Sequence, residues 1–252
     1  ADDLGYNELG CYGQKKILTP HLDQLAKDGM RFTRHYSGSA VCAPSRYVLL
    51  TGRHPGHAFI RNNGEVQPEG QRPIPAHEYT LAEMFKREGY NTGAFGKWGL
   101  GGPGTEGDPM NQGFDRFFGY NCQRQAHNFY PKHLWHNSEK VILDGKTYSH
   151  DLIQEQALKF IRNNAKKTFF AYLPITIPHA AMQCPEEDVA PFRKKFPQFE
   201  NKIGKYSQGT EVRNPVAAFA GMMTRMDRGV GQVLDLLNEL NIANNTLVLF
   251  TS

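Results

Sequence analysis

Apolar positions along this chain follow two periods in turn, a helical one and a strand-like one. After Thr19-Pro20, an N-cap followed by proline in the first turn, Leu22, Leu25 and Ala26 fall on one face and Gly29 closes the segment, which predicts a helix. Phe32 to Tyr36 then reads as a strand. Thr80-Leu81-Ala82-Glu83 is a capping box that opens a helix ending at Gly89, followed by a short strand from Asn91 to Phe95. A helix from about Asp151 to Asn163 leads into the apolar run Thr168 to Leu173, which predicts a buried strand. Asn214-Pro215 starts a long helix through about Leu240, and Thr246 to Phe250 predicts a last strand. Helices alternating with strands imply an α/β fold with a mainly parallel sheet covered on both faces. Gly99 to Gly113, rich in glycine and proline, reads as a loop.

Composition narrows the classes. A chain of 252 residues can form one large α/β domain or two small ones, and 39% hydrophobic with 21% charged residues suits a globular protein. The longest apolar stretches are too short to span a bilayer. The net charge of +4 comes from dispersed residues, with no basic stripe interleaved with aromatics, so nucleic acid is not an expected partner. Four cysteines (Cys11, Cys42, Cys122 and Cys184) are too few for a disulfide framework.

The chemistry concentrates in Cys42-Ala43-Pro44-Ser45-Arg46, with Leu50-Thr51-Gly52-Arg53 just downstream. Together with Asp2-Asp3-Leu4-Gly5-Tyr6, Thr19 to Ala26 and Gly96-Lys97-Trp98, in that order, this run resembles the type I formylglycine-dependent sulfatases over nearly the whole chain. The resemblance implies an alkaline-phosphatase-like fold and hydrolysis of a sulfate monoester of a small molecule or carbohydrate. It also implies that a maturation enzyme oxidises Cys42 to formylglycine. Alone, a cysteine at a helix N-terminus is a reactive thiol at most. A hydrated aldehyde offers more, because one hydroxyl attacks sulfur and the other later collapses to expel sulfate.

Further roles follow from the same resemblance. Arg46, within one turn of Cys42, holds a fixed charge beside the diol. Asp2 and Asp3, in isolation a solvated turn, become oxygen ligands of one Ca²⁺ together with the residue 42 derivative. Lys97 contacts the sulfate, and His179 in Ile177-Pro178-His179-Ala180 donates a proton to the leaving oxygen. The sequence departs from the family where many members carry His two residues after the lysine, since Gly99 stands there. His127 is the candidate replacement, expected to enter the space left by Gly99 and face residue 42.

The resemblance also implies that residues 1–252 are a partial catalytic domain. The first strand, the metal ligands after Ser252 and a smaller C-terminal subdomain are expected outside it. A periplasmic, secreted or lysosomal-type compartment is expected. Two other readings stand beside this one: a formylglycine-dependent phosphonate or phosphodiester hydrolase, and a non-catalytic binding protein of the same fold. Gly99 to Gly104 matches G-x-G-x-x-G, but Pro103 and Pro109 prevent a helix from opening there, so a dinucleotide site is rejected.

Overall fold

A computed structural model describes residues 1–252. In chain order the helices are α1 (Pro20–Asp28), α2 (Cys42–Thr51), α3 (Leu81–Arg87), α4 (Ser149–Asn163), α5 (Glu186–Lys195) and α6 (Pro215–Glu239). The strands are β1 (Asn91–Lys97), β2 (Arg116–Tyr120), β3 (His133–His136), β4 (Glu139–Ile142), β5 (Phe169–Tyr172), β6 (Ile203–Lys205) and β7 (Glu211–Arg213). The chain divides into two compact units. A sheet unit takes Tyr36–Ala126 and Tyr130–Thr176, and a helical unit takes Ala1–His35, His127–Phe129 and Ile177–Ser252.

The sheet unit is built on a five-stranded sheet of order β4-β3-β2-β1-β5. β1 is parallel to β2, with Lys97 opposite Tyr120, and parallel to β5, with Ala94 opposite Tyr172; β3 and β4 complete the sheet antiparallel. Alternation along each strand sorts side chains to two faces. Ala94, Phe117, Phe170 and Tyr172 face a core shared with Ala43, Tyr47 and Leu50 of α2 and Ala82 of α3. Phe95, Phe118 and Tyr120 face the opposite core with Ile153, Ala157 and Phe160 of α4. Burying one such phenylalanine contributes about 1.5–3 kcal/mol, so helices on both faces are required to stabilise this sheet.

In the helical unit, α6 begins where Asn214 accepts from the Ala217 N–H at 3.0 Å, as the Asn-Pro signal predicts. α5 packs along α6, and Asp188 of α5 is paired with Arg228 at 2.7 Å and with Arg225. Asp227 of α6 reaches the first turn of α1. It accepts from the N–H groups of His21 (3.2 Å) and Leu22 (2.9 Å), and a ring nitrogen of His21 lies 2.8 Å from it. The N-cap of α1 is thus a carboxylate from another helix, while Thr19 Oγ1 is held by Asp23 at 3.1 Å.

The predicted helices are all present, and β1 is found as expected. Two expected strands are not. Phe32 and Tyr36 are solvent-exposed with no ladder, and Thr246–Phe250 carries exposed Leu247 and Leu249 and pairs with no strand. An apolar run becomes a strand only when another strand takes up its backbone groups. β5 is half-buried instead of fully buried, because it is an edge strand of the sheet.

Removal of the Asp227 cap by Asp227→Ala is expected to cost about 1–3 kcal/mol, since two first-turn N–H groups of α1 lose a buried acceptor. Denaturant unfolding measures this, and an unchanged midpoint would show that α1 does not depend on α6 for its N-terminus.

Candidate active site

Cys42 is the first residue of α2, preceded by an extended Val41. The N–H of Ala43 in that first turn donates to Asn63 Oδ1 at 2.9 Å, and Ser45 Oγ lies 2.7 Å from Ser37 Oγ. The helix therefore starts in a fixed place, with its N-terminal dipole beside the Cys42 side chain. The downstream part of the motif ends the helix. Gly52 is left-handed and its N–H returns to Val48 O at 2.8 Å, Thr51 Oγ1 donates to Tyr47 O, and Arg53 pairs with buried Glu78 at 2.9 Å. Thr51, Gly52 and Arg53 thus position the motif from below. Burial pushes the Tyr47 phenol up to about 12, so this residue is a core member with no acid–base part to play.

Gly96-Lys97-Trp98 closes β1 at the carboxyl edge of the parallel strands, where α/β sheets carry functional groups. Gly96, at φ 139°, lies so close to the Pro174 carbonyl that a Cβ would fall 2.2 Å from its oxygen. Trp98 is buried and donates from its indole N–H to Gly107 O at 2.8 Å. Between these two fixed neighbours, Lys97 has 0% exposure, and its Nζ lies 3.3 Å from Cys42 Sγ. Arg46, also buried, donates from Nη1 to the Lys97 carbonyl. Two buried basic side chains thus meet this strand end, one of them beside the thiol at the N-terminus of α2.

The other expected residues gather in the helical unit. Asp2 is 4% exposed, and one of its carboxylate oxygens lies within 4.8 Å of a ring nitrogen of buried His179. Asp3, at φ 59°, places Oδ2 3.3 Å from His179 Nε2. The His127 ring stacks on His179 with centroids 4.5 Å apart and planes 8° apart. Tyr206 stands edge-on to both rings. A buried carboxylate next to a second acidic side chain suits a hard divalent cation, so the Asp2-Asp3 pair fits oxygen ligation. The structure thus brings Cys42, Arg46 and Lys97 together in the sheet unit, and Asp2, Asp3, His127 and His179 together in the helical unit.

One expectation is corrected. A Cβ on Gly99 would fall 1.7 Å from Gln123 Nε2, so the space beside this glycine holds a buried amide where His127 was expected. Gln123 is fixed there by its Nε2 on Gly99 O at 3.3 Å and its N–H on Gln71 Oε1 at 3.2 Å. His127 lies instead on His179. Sequence reasoning missed Gln123, Tyr206 and Gln183, the last of which accepts from the Phe129 N–H at 2.7 Å. No local period marks any of them. Only the turn-forming run Ser207-Gln208-Gly209 signals the hairpin that carries Tyr206.

Fold and site together define an α/β protein with a cysteine at a helix N-terminus beside a buried lysine that ends a parallel strand. The chain matches the family description Sulfatase over residues 1–252, and it belongs to that family. It is 33% identical to arylsulfatase A of Homo sapiens over 258 residues, spanning 100% of this chain and 50% of that protein. It is likewise 33% identical to N-acetylgalactosamine-6-sulfatase of Canis lupus familiaris, spanning 100% of this chain and 48% of that protein. The chain thus spans about half the length of these curated relatives. Among solved structures, Ps i-CgsB superposes with a TM-score of 0.79 at 29% identity, over 97% of this chain and 55% of that one. The fold is alkaline-phosphatase-like, as the shared sheet and helices require.

Placing histidine at residue 99 tests the packing described above. Gly99→His is expected to destabilise the protein by about 1–3 kcal/mol through overpacking against Gln123, and Gln123→Gly in the same chain is expected to recover part of that loss. A double-mutant cycle from denaturant unfolding reads the coupling, and strict additivity would show that the two positions do not compete for the same space.

Proposed function

We propose that this chain carries the chemistry of a sulfatase, hydrolysing a sulfate monoester of a carbohydrate or aryl group to an alcohol and inorganic sulfate. The observation that carries the reading is the fully buried Lys97 ammonium 3.3 Å from Cys42 Sγ. That sulfur stands in for an oxygen of the hydrated aldehyde expected once a formylglycine-generating enzyme has acted on Cys42. A buried lysine held against this position supports binding of a dianion there better than it supports a role for a thiol.

In this reading, one hydroxyl of the hydrate releases its proton to solvent as its oxygen attacks the sulfate sulfur, and the bond from sulfur to the ester oxygen breaks. His179 gives a proton to the departing oxygen. The second hydroxyl then loses its proton to solvent, the carbonyl re-forms, and the bond from residue 42 to the sulfate oxygen breaks. Water restores the hydrate. Lys97 and Arg46 hold charge that grows on the sulfuryl oxygens as these bonds change. Asp2 and Asp3 would hold Ca²⁺, which supplies further positive charge to those oxygens when bound. The 33% identity to an N-acetylgalactosamine-6-sulfatase supports a sulfated sugar as substrate. Family membership agrees with the secreted, periplasmic or lysosomal-type setting expected from the sequence, and no helix is long and apolar enough to cross a membrane.

The test uses the full-length protein produced together with a maturation enzyme. Aldehyde trapping followed by tryptic mass spectrometry is expected to find formylglycine at residue 42. Cys42→Ala is expected to abolish turnover of an aryl sulfate, with an aryl phosphonate assayed alongside as the competing substrate. Iodoacetamide at pH 8 provides the control. Burial, with the Asp188 charge beside it, pushes the Cys184 thiol up to about 12, and burial also raises Cys122, so both are expected to stay unlabelled in folded protein. An alkylated thiol at residue 42 in protein from a maturation-competent host would sink the reading.

A further inference from the structure

The short hairpin β6–β7 has no evident part in the core of the helical unit. Its strand residues Ile203, Lys205, Glu211 and Arg213 are all exposed, and only Gly204 and Val212 are half-buried. Apolar burial therefore does little to explain why it is held where it is. Arg213 ties its outer strand to Glu200 at 2.9 Å and, through its carbonyl, to Arg193, and three further contacts lead towards the same pair of rings.

The first lies at Gly204, where the hairpin backbone presses on the segment after His179. A Cβ at residue 204 would fall 2.9 Å from Met182 Cε and 2.8 Å from Pro215 Cβ. Met182 itself closes the turn from His179, its N–H donating to the His179 carbonyl at 3.3 Å. The second is Gln183, which joins two segments. Its Oε1 accepts from the Phe129 N–H at 2.7 Å, two residues from His127, and its Nε2 donates to Thr210 Oγ1 in the hairpin at 3.2 Å. The third is Tyr206. Its ring centroid lies 4.9 Å from that of His127 and 4.7 Å from that of His179, with planes 79° and 82° away from theirs. The imidazole centroids are 4.5 Å apart, so the three rings form a nearly equilateral triangle, with the phenol ring braced across both members of the stack.

We propose that the β6–β7 hairpin is a positioning strap for the proton-transfer side of the reaction, with Tyr206 fixing the ring planes of His127 and His179. The proposal rests on the sulfatase reading, and in particular on His179 as proton donor to the leaving oxygen. An imidazole turned about its Cβ–Cγ bond sends its N–H along a different line, and an edge-on ring of this size resists that turn. Tyr206 acts through the two histidines, so it is a positioning residue. Loss of the brace is expected to lower kcat and leave KM nearly unchanged.

Leaving-group dependence tests this on the full-length, matured protein. Proton donation matters most when the departing oxygen is basic, so a misdirected donor penalises poor leaving groups and spares good ones. For Tyr206→Ala the expected loss in kcat/KM is about 10- to 100-fold on phenyl sulfate and below about 3-fold on 4-nitrophenyl sulfate, giving a steeper leaving-group slope. Tyr206→Phe keeps the ring and is expected to keep the parent slope. Gln183→Ala removes the Thr210 contact without touching Tyr206, and is expected to steepen the slope in the same sense by a smaller amount, which provides a second route should Tyr206→Ala not fold. His179→Ala separates the two claims. If it retains parent turnover of phenyl sulfate, the sulfatase reading loses its proton donor and the strap falls with it. If His179→Ala loses that turnover while Tyr206→Ala and Gln183→Ala keep the parent slope, or lose activity equally across all leaving groups, the strap alone is overturned.

Discussion

An ammonium group with no exposure to solvent is the constraint around which the sheet unit is arranged. Taking Lys97 out of water is unfavourable by many kcal/mol unless neighbouring groups replace its hydration. The strand end supplies the means. Gly96 lets the Pro174 carbonyl approach, Trp98 anchors the chain just beyond in the core, and Arg46 holds the lysine's own carbonyl. Each contact fixes the backbone on one side of residue 97, so its side chain is left one direction, towards Cys42.

The signature around Cys42 separates into chemistry and scaffolding. Cys42 and Arg46 meet the end of β1, Cys42 Sγ at 3.3 Å from Lys97 Nζ and Arg46 on the Lys97 carbonyl. Thr51, Gly52 and Arg53 end α2 and tie it to Glu78. A motif that looks uniform in the sequence therefore fixes two different things, which residue is attacked from and where the helix that bears it stops. The two are spaced by the helix itself, which sets the interval between the clusters in this chain.

How much was legible follows from how local each signal is. Caps such as Thr80 with Glu83 and Asn214 with Pro215 act within four residues, so the helices could be read directly. β1 also announced itself as a short apolar run before Gly-Lys-Trp. By contrast, β2 lies in an aromatic stretch interrupted by glycine, and β3 and β4 are four-residue strands that exist through pairing, β3 with β2 and β4 with β3 alone. Phe32 to Tyr36 and Thr246 to Phe250 looked like strands because apolar content does not show whether a neighbour is there to pair. Among the candidate site residues, Cys42, Arg46, Lys97, Asp2, Asp3 and His179 are legible as candidates because they sit in contiguous motifs. Gln123 beside Gly99 and Tyr206 beside the stacked histidines are not, because each is joined to its partner only by the fold.

Gly96 carries a consequence for how inherited or engineered changes in this chain are interpreted. It supplies no side chain, binds nothing and takes no part in proton transfer, yet any larger residue would collide with a main-chain oxygen that has no room to retreat. The strand end would have to move, and the lysine one position later would move with it. A variant at residue 96 would retain a convertible cysteine, both aspartates and both histidines, and its peptide masses would look normal at every functional position. It would be scored as a catalytic defect although no catalytic group had changed, and supplying more metal or more maturation enzyme would not restore it.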